Sequence, residues 1–79
     1  MPELIQIKAP VAGSVVDINS SLRPGMQVSG GTELLILERM KLLCAVSAPC
    51  TGTVSAVMIG LGSKVLEGEI LVEMVAQGD

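Results

Sequence analysis

Seventy-nine residues make one small domain, and without a single Phe, Tyr or Trp its core must be built from Val, Leu, Ile, Met and Ala. The chain has no His, so it lacks the usual general base near neutral pH, and two Cys alone cannot close a zinc site. A net charge of −3 and the lack of aromatic stacking platforms argue against nucleic acid. Together these counts disfavour a free-standing enzyme and leave a carrier, a binding module or a structural piece.

The first residues, Met1-Pro2-Glu3-Leu4-Ile5-Gln6-Ile7-Lys8, have no basic region followed by an apolar stretch, so no leader is read here and a cytoplasmic location is expected. Ile5-Gln6-Ile7-Lys8 alternates with period two, as a half-buried strand does. Pro10 and Gly13 then mark a turn before the β-branched run Val15-Val16-Asp17-Ile18. Asn19-Ser20-Ser21 fits a glycosylation pattern that carries no meaning without secretion. Further turns are marked by Pro24-Gly25 and Gly30-Gly31.

Residues 33–43 are rich in helix formers, yet their apolar positions form a nearly continuous run without a 3.6-residue stripe. Their counterpart Glu69-Ile70-Leu71-Val72-Glu73 is strand-like, so a strand is expected in both, with β context overriding propensity. The polar pair Arg39 and Lys41, with Met40 between them, marks the reversal between two antiparallel strands and puts Lys41 near an exposed hairpin tip. Residues 42–63 carry no charge, long enough for a membrane helix, but Pro49, Gly52, Gly60, Gly62 and five Ser or Thr read as strands broken by turns. Cys44 and Cys50 are expected to be small buried hydrophobes rather than a disulfide framework. Gly60-Leu61-Gly62-Ser63-Lys64 lacks the spacing of a phosphate loop and reads as a turn, and the tail from Ala76 to Asp79 reads as frayed.

The chain contains itself twice. Ala9-Pro10-Val11-Ala12-Gly13-Ser14-Val15 returns as Ala48-Pro49-Cys50-Thr51-Gly52-Thr53-Val54, an offset of 39. Gly25, Val28, Gly31, Leu34 and Leu35 return as Gly62, Val65, Gly68, Leu71 and Val72, an offset of 37. Two extra residues between Asn19 and Pro24 account for the change. Many short strands between regular turn signals predict an all-β sandwich or barrel, organised as a single domain over residues 1–79 with its core at about 5–74.

At the join of the two halves, Glu38-Arg39-Met40-Lys41-Leu42 resembles the Glu-Ala-Met-Lys-Met signature of biotin carboxyl carrier domains, members of the biotinyl/lipoyl attachment family. Gly31 ten residues before Lys41 and Ala48-Pro49 from seven residues after it fit the same pattern. The resemblance implies a flattened β-barrel of two four-stranded antiparallel sheets with pseudo-two-fold symmetry. It implies that a biotin protein ligase acylates Lys41, with Met40 and Leu42 flanking the attachment site and read by the ligase. It implies a non-catalytic carrier that shuttles a carboxyl group between biotin carboxylase and carboxyltransferase subunits. Arg39 stands where the family has a small residue, and Leu42 replaces the second Met. The apolar run Leu42-Leu43-Cys44-Ala45-Val46 is also unlike the family, and is either turned inward or meets a partner. Nothing long is inserted in the first half, so no thumb loop is expected.

Blander readings stand beside these. Lys41 also reads as a solvated hairpin lysine like Lys8 and Lys64, Met40 and Leu42 as strand packing, and Glu38 as a strand-end charge. A lipoyl carrier of a 2-oxoacid dehydrogenase or glycine-cleavage type system shares the fold and the hairpin lysine; Met-Lys-Leu, rather than Asp-Lys-Ala, favours biotin. An unmodified interaction module using the apolar strand after Lys41 is the rival of a different class.

Overall fold

The computed structural model describes residues 3–77 and consists of eight strands: β1 (Glu3–Lys8), β2 (Gly13–Ile18), β3 (Gln27–Val28), β4 (Glu33–Arg39), β5 (Leu42–Ser47), β6 (Gly52–Val57), β7 (Lys64–Val65) and β8 (Ile70–Ala76). They form two four-stranded antiparallel sheets, ordered β1-β8-β6-β3 and β5-β4-β2-β7. Moving each strand four places along the chain converts one order into the other. Each sheet takes two strands from each half, so neither half can close its own core.

The internal repeat of the sequence is a symmetry of the packing. All fourteen buried apolar residues fall into seven pairs at the repeat offsets: Ile7 with Val46, Ala9 with Ala48, Val15 with Val54, Val28 with Val65, Leu34 with Leu71, Leu35 with Val72, and Leu37 with Met74. Bonds between segments pair in the same way. Ala48 N–H donates to the Thr32 carbonyl and Ala9 N–H to the Glu69 carbonyl, both at 2.8 Å. Four tight turns, in two symmetry-related pairs, close with an i+3 N–H donating to the carbonyl of Arg23, Ser29, Gly60 or Leu66, and their third residues, Gly25, Gly31, Gly62 and Gly68, all have positive φ. A type II turn needs a residue without a Cβ at that place.

A bulge and its symmetry mate explain the apolar run in β4. The pairing of β4 with β5 slips between Glu33 and Leu35, and that of β1 with β8 slips at Ile7/Lys8, so Leu34 and Leu71 are extra residues. Consecutive side chains, Leu34-Leu35 and Leu71-Val72, are therefore all fully buried, which a regular strand cannot achieve. The strand expected over residues 33–43 is present, divided into β4 and the start of β5.

Residues 42–63, uncharged in the sequence, are β5, β6 and their connections, and no helix among the described residues is long and apolar enough to cross a membrane. The loop between β2 and β3 covers residues 19–26 against 58–63 for its mate, so the only first-half insertion there is the two extra residues. Two expectations are corrected. Cys44 and Cys50 are free thiols but only half-buried, packed against the core from its margin. Ala76 belongs to β8 and Gln77 N–H donates to the Thr51 carbonyl at 2.9 Å, so this part of the tail is held in place; Gly78 and Asp79 lie outside the described residues, as do Met1 and Pro2 of the leader reading.

Candidate functional site

β4 and β5 are joined by the tightest reversal two strands can make. Arg39 pairs with Leu42, leaving Met40 and Lys41 as a two-residue loop. Their φ values are 51° and 67°, the only positive-φ residues other than glycine among those described. Positive φ at both central residues defines a type I′ turn, whose twist matches that of the flanking strands. Asn-Gly is the usual occupant because side chains are strained there. A Met-Lys pair in this place spends stability to hold a lysine at a fixed, outward position. The reversal expected around Arg39, Met40 and Lys41 is present with Lys41 at its tip, and Arg39 is the last residue of β4.

The tip projects beyond the core. Leu35, Leu37 and Arg39 share one face of β4, and Leu42, Cys44 and Val46 share one face of β5. Leu35, Leu37 and Val46 are buried on that core-facing side, and Cys44 is half-buried. Arg39 and Leu42 have the same phase yet are exposed, Leu42 at 75%. They lie beyond Leu37 and Cys44, the last residues of the hairpin that pack against the core. Met40 at 84% and Lys41 stand at the apex, and Leu43 at 66% and Ala45 face outward on the other side with Glu38.

β2 is held tightly against the base of this hairpin. A Cβ on Gly13 would lie 2.5 Å from the Glu38 carbonyl oxygen, and one on its mate Gly52 would collide with the Val75 carbonyl. Glycine at these two positions sets the strand approach, which fixes the direction of the hairpin.

The sequence-derived site residues Met40, Lys41 and Leu42 are thus contiguous at the tip, none of them in the core. Sequence reasoning missed Val11, whose β1–β2 connection lies at the same end of the molecule. Val11, Arg39, Met40, Leu42, Leu43 and Cys44 line a groove of about 420 Å³. The only signal for it was the uncharged run after Lys41, whose first residues turn outward rather than inward. A smaller depression of about 150 Å³, lined by Asp17, Asn19, Glu33, Leu35 and Ile36, lies towards the opposite end of β4, where the Asn19 side-chain amide donates to the Glu33 carbonyl at 2.9 Å. At that far end Glu3 pairs with Ala76, the symmetry counterpart of Arg39 with Leu42.

An exposed primary amine on a projecting, conformationally fixed turn fits covalent attachment of a carboxylic acid cofactor, and the adjoining apolar surface fits a group of low polarity. A two-fold repeated β-sandwich presenting one lysine on a hairpin is the architecture of a swinging-arm carrier domain. The biotin–lipoyl family model, described as "Biotin-requiring enzyme", matches residues 5–74, and the chain belongs to that family. It is similar to part of the mitochondrial propionyl-CoA carboxylase alpha chain of Homo sapiens, 38% identical over 68 residues, 86% of this chain and 9% of that one. It is similar to part of the pyruvate carboxylase of Aspergillus terreus, 37% identical over 67 residues, 85% of this chain and 5% of that one. The chain therefore spans less than a tenth of the length of these curated relatives. Among solved structures it resembles a single-chain, multi-domain long-chain acyl-CoA carboxylase, with a TM-score of 0.86 and 26% identity over 98% of this chain and 8% of that one. It also resembles the lipoyl domain of the 2-oxoglutarate dehydrogenase complex of Azotobacter vinelandii, with a TM-score of 0.76 and 28% identity over 94% of this chain and 99% of that one.

Proposed function

We propose that this chain acts as a biotin carboxyl carrier, a single carrier domain with its core at about 5–74, in which Lys41 is the residue that receives biotin. The observation that carries this reading is the Met40–Lys41 turn, where an exposed lysine occupies a strained apex that its family-like neighbours Met40 and Leu42 flank. In attachment, the Lys41 Nζ attacks the biotin carboxyl carbon in the form activated by a biotin protein ligase. An amide C–N bond forms, the activating group leaves, and the ammonium gives up two protons. The lysine loses its charge, so the net charge moves from −3 to about −4.

Bound biotin supplies the carboxyl-transfer chemistry, while the protein supplies position and reach. Catalysis lies in the partner active sites, those of a biotin carboxylase and a carboxyltransferase. The carrier raises the effective concentration of the arm at both. Arg39 paired with Leu42 fixes the start of the arm, and Gly13 fixes the hairpin that bears it. Lys41 stands at the end of the domain away from Glu3 and Ala76, so the arm reaches outward from the whole length of the sheets.

Met-Lys-Leu at the turn and the carboxylase relatives favour biotin. The likeness to a lipoyl domain supports a second reading, in which Lys41 carries lipoate in a 2-oxoacid dehydrogenase or glycine-cleavage type system. Co-expression with a biotin ligase, followed by a streptavidin gel-shift of the purified chain, tests the first reading. The wild type should shift quantitatively and Lys41→Arg not at all; a Lys41→Arg chain that still shifts removes Lys41 from the role.

A further inference from the structure

The geometry points to a docking place for the carried group on this domain itself: the groove of Val11, Arg39, Leu42, Leu43 and Cys44 holds the biotinyl ring of Lys41 between visits to partner sites. This holds only if Lys41 is the attachment residue, as proposed above. Five of the six lining residues lie within three positions of Lys41, so a group tethered through its flexible side chain has the groove within reach. Tethering gives an effective concentration in the millimolar range, so a weak contact suffices to keep the arm down and still release it. The volume of about 420 Å³ lies within the range of small-ligand clefts.

The chemistry of the lining matches one kind of occupant. The surface is apolar except for Arg39, which lies beside Leu42 on the core-facing side of the projecting hairpin. A fused ring with a thioether, an aliphatic stem and a ureido group takes apolar contact and one donor for its carbonyl oxygen, while its two N–H groups stay hydrated at the open side of the groove. The Arg39 guanidinium N–H groups can donate to it, whereas a small residue could not. Glu38 is not among the residues that line the groove, although its cross-strand partner Leu43 is, so the lining itself carries no carboxylate. Val11 comes from a different part of the chain, thirty residues before Lys41, and closes the groove from the β1–β2 connection.

The test compares ¹⁵N–¹H spectra of the full chain before and after ligase loading, with loading verified by intact mass. The expected result is a displacement of the Val11 and Cys44 amides and of the Arg39 side-chain Nε–H. In a mass-verified loaded Arg39→Ala chain, most of the Val11 displacement should be lost. Displacements confined to residues 39–43 of a loaded chain would overturn the docking place and leave the attachment reading intact. A Val11 displacement that arises only when a carboxylase subunit is added would assign the groove to a protein partner, and so overturn it too. A chain that gains no mass increment removes both readings together.

Discussion

Replacing Met40-Lys41 by Asn-Gly should make this domain more stable while destroying its proposed function. Both residues hold positive φ, at 51° and 67°. A non-glycine residue in that region costs roughly 1–2 kcal/mol. Asn tolerates the conformation better than Met, and Gly removes the strain at position 41, though Gly gives back about 0.5–1 kcal/mol through the entropy of the unfolded chain. Met40 is 84% exposed, so its loss sacrifices little burial. The net expectation is a gain of about 1–2 kcal/mol. A chain of 79 residues has a total stability of about 4–12 kcal/mol, so the change is large. It should raise Tm by about 5–15 °C. Far-UV circular dichroism is the suitable probe, because the chain has no Trp or Tyr, with urea unfolding as a second measure. An Asn-Gly variant no more stable than the parent would refute a strained type I′ turn at the site.

Other outcomes follow from the same coordinates. Gly13→Ala and Gly52→Ala should each destabilise by about 1–3 kcal/mol or more, since the added Cβ meets a backbone carbonyl that cannot swing aside; urea midpoints should show the larger loss for Gly52→Ala, whose Cβ would also meet the Met74 side chain. Leu37→Ala, at a fully buried position, should cost about 2–5 kcal/mol, read from the same midpoints in a parent stabilised by Asn-Gly if the single variant fails to fold. Lys41→Arg keeps the turn and the charge, and should change stability by less than about 0.5 kcal/mol in thermal unfolding while abolishing attachment.

The parts of this fold that could be read from sequence were those stated twice. The offsets of 39 and 37 marked the turns, the short strands between them and the two extra residues of the β2–β3 loop, because symmetric burial leaves the same residue types at equivalent places. The segment from Glu33 to Leu43 resisted a local reading for a physical reason. The bulge at Leu34 puts two successive leucines into the core and breaks the period-two signal that identifies a strand. Only its copy in β8, with more β-branched residues, gave it away.

At the site, the position of Lys41 was legible but the form of its turn was not, because neither Met nor Lys advertises positive φ as Asn or Gly would. The exposure of Leu42 was also hidden. Its phase on β5 is that of a core residue, and it is open to solvent because it lies beyond Cys44, where the packing of the hairpin against the core ends. Val11 carries no chemical signal of its own and joins the groove through tertiary structure alone.

The most direct test is the intact mass of this chain after separate co-expression with a biotin ligase and with a lipoyl ligase. The proposed function predicts one biotinyl increment, mapping to Lys41 and absent from Lys41→Arg. A lipoyl increment alone would move the chain to the lipoyl carriers despite Met40, and a folded chain that accepts neither group would contradict the carrier function and leave an unmodified interaction module in its place.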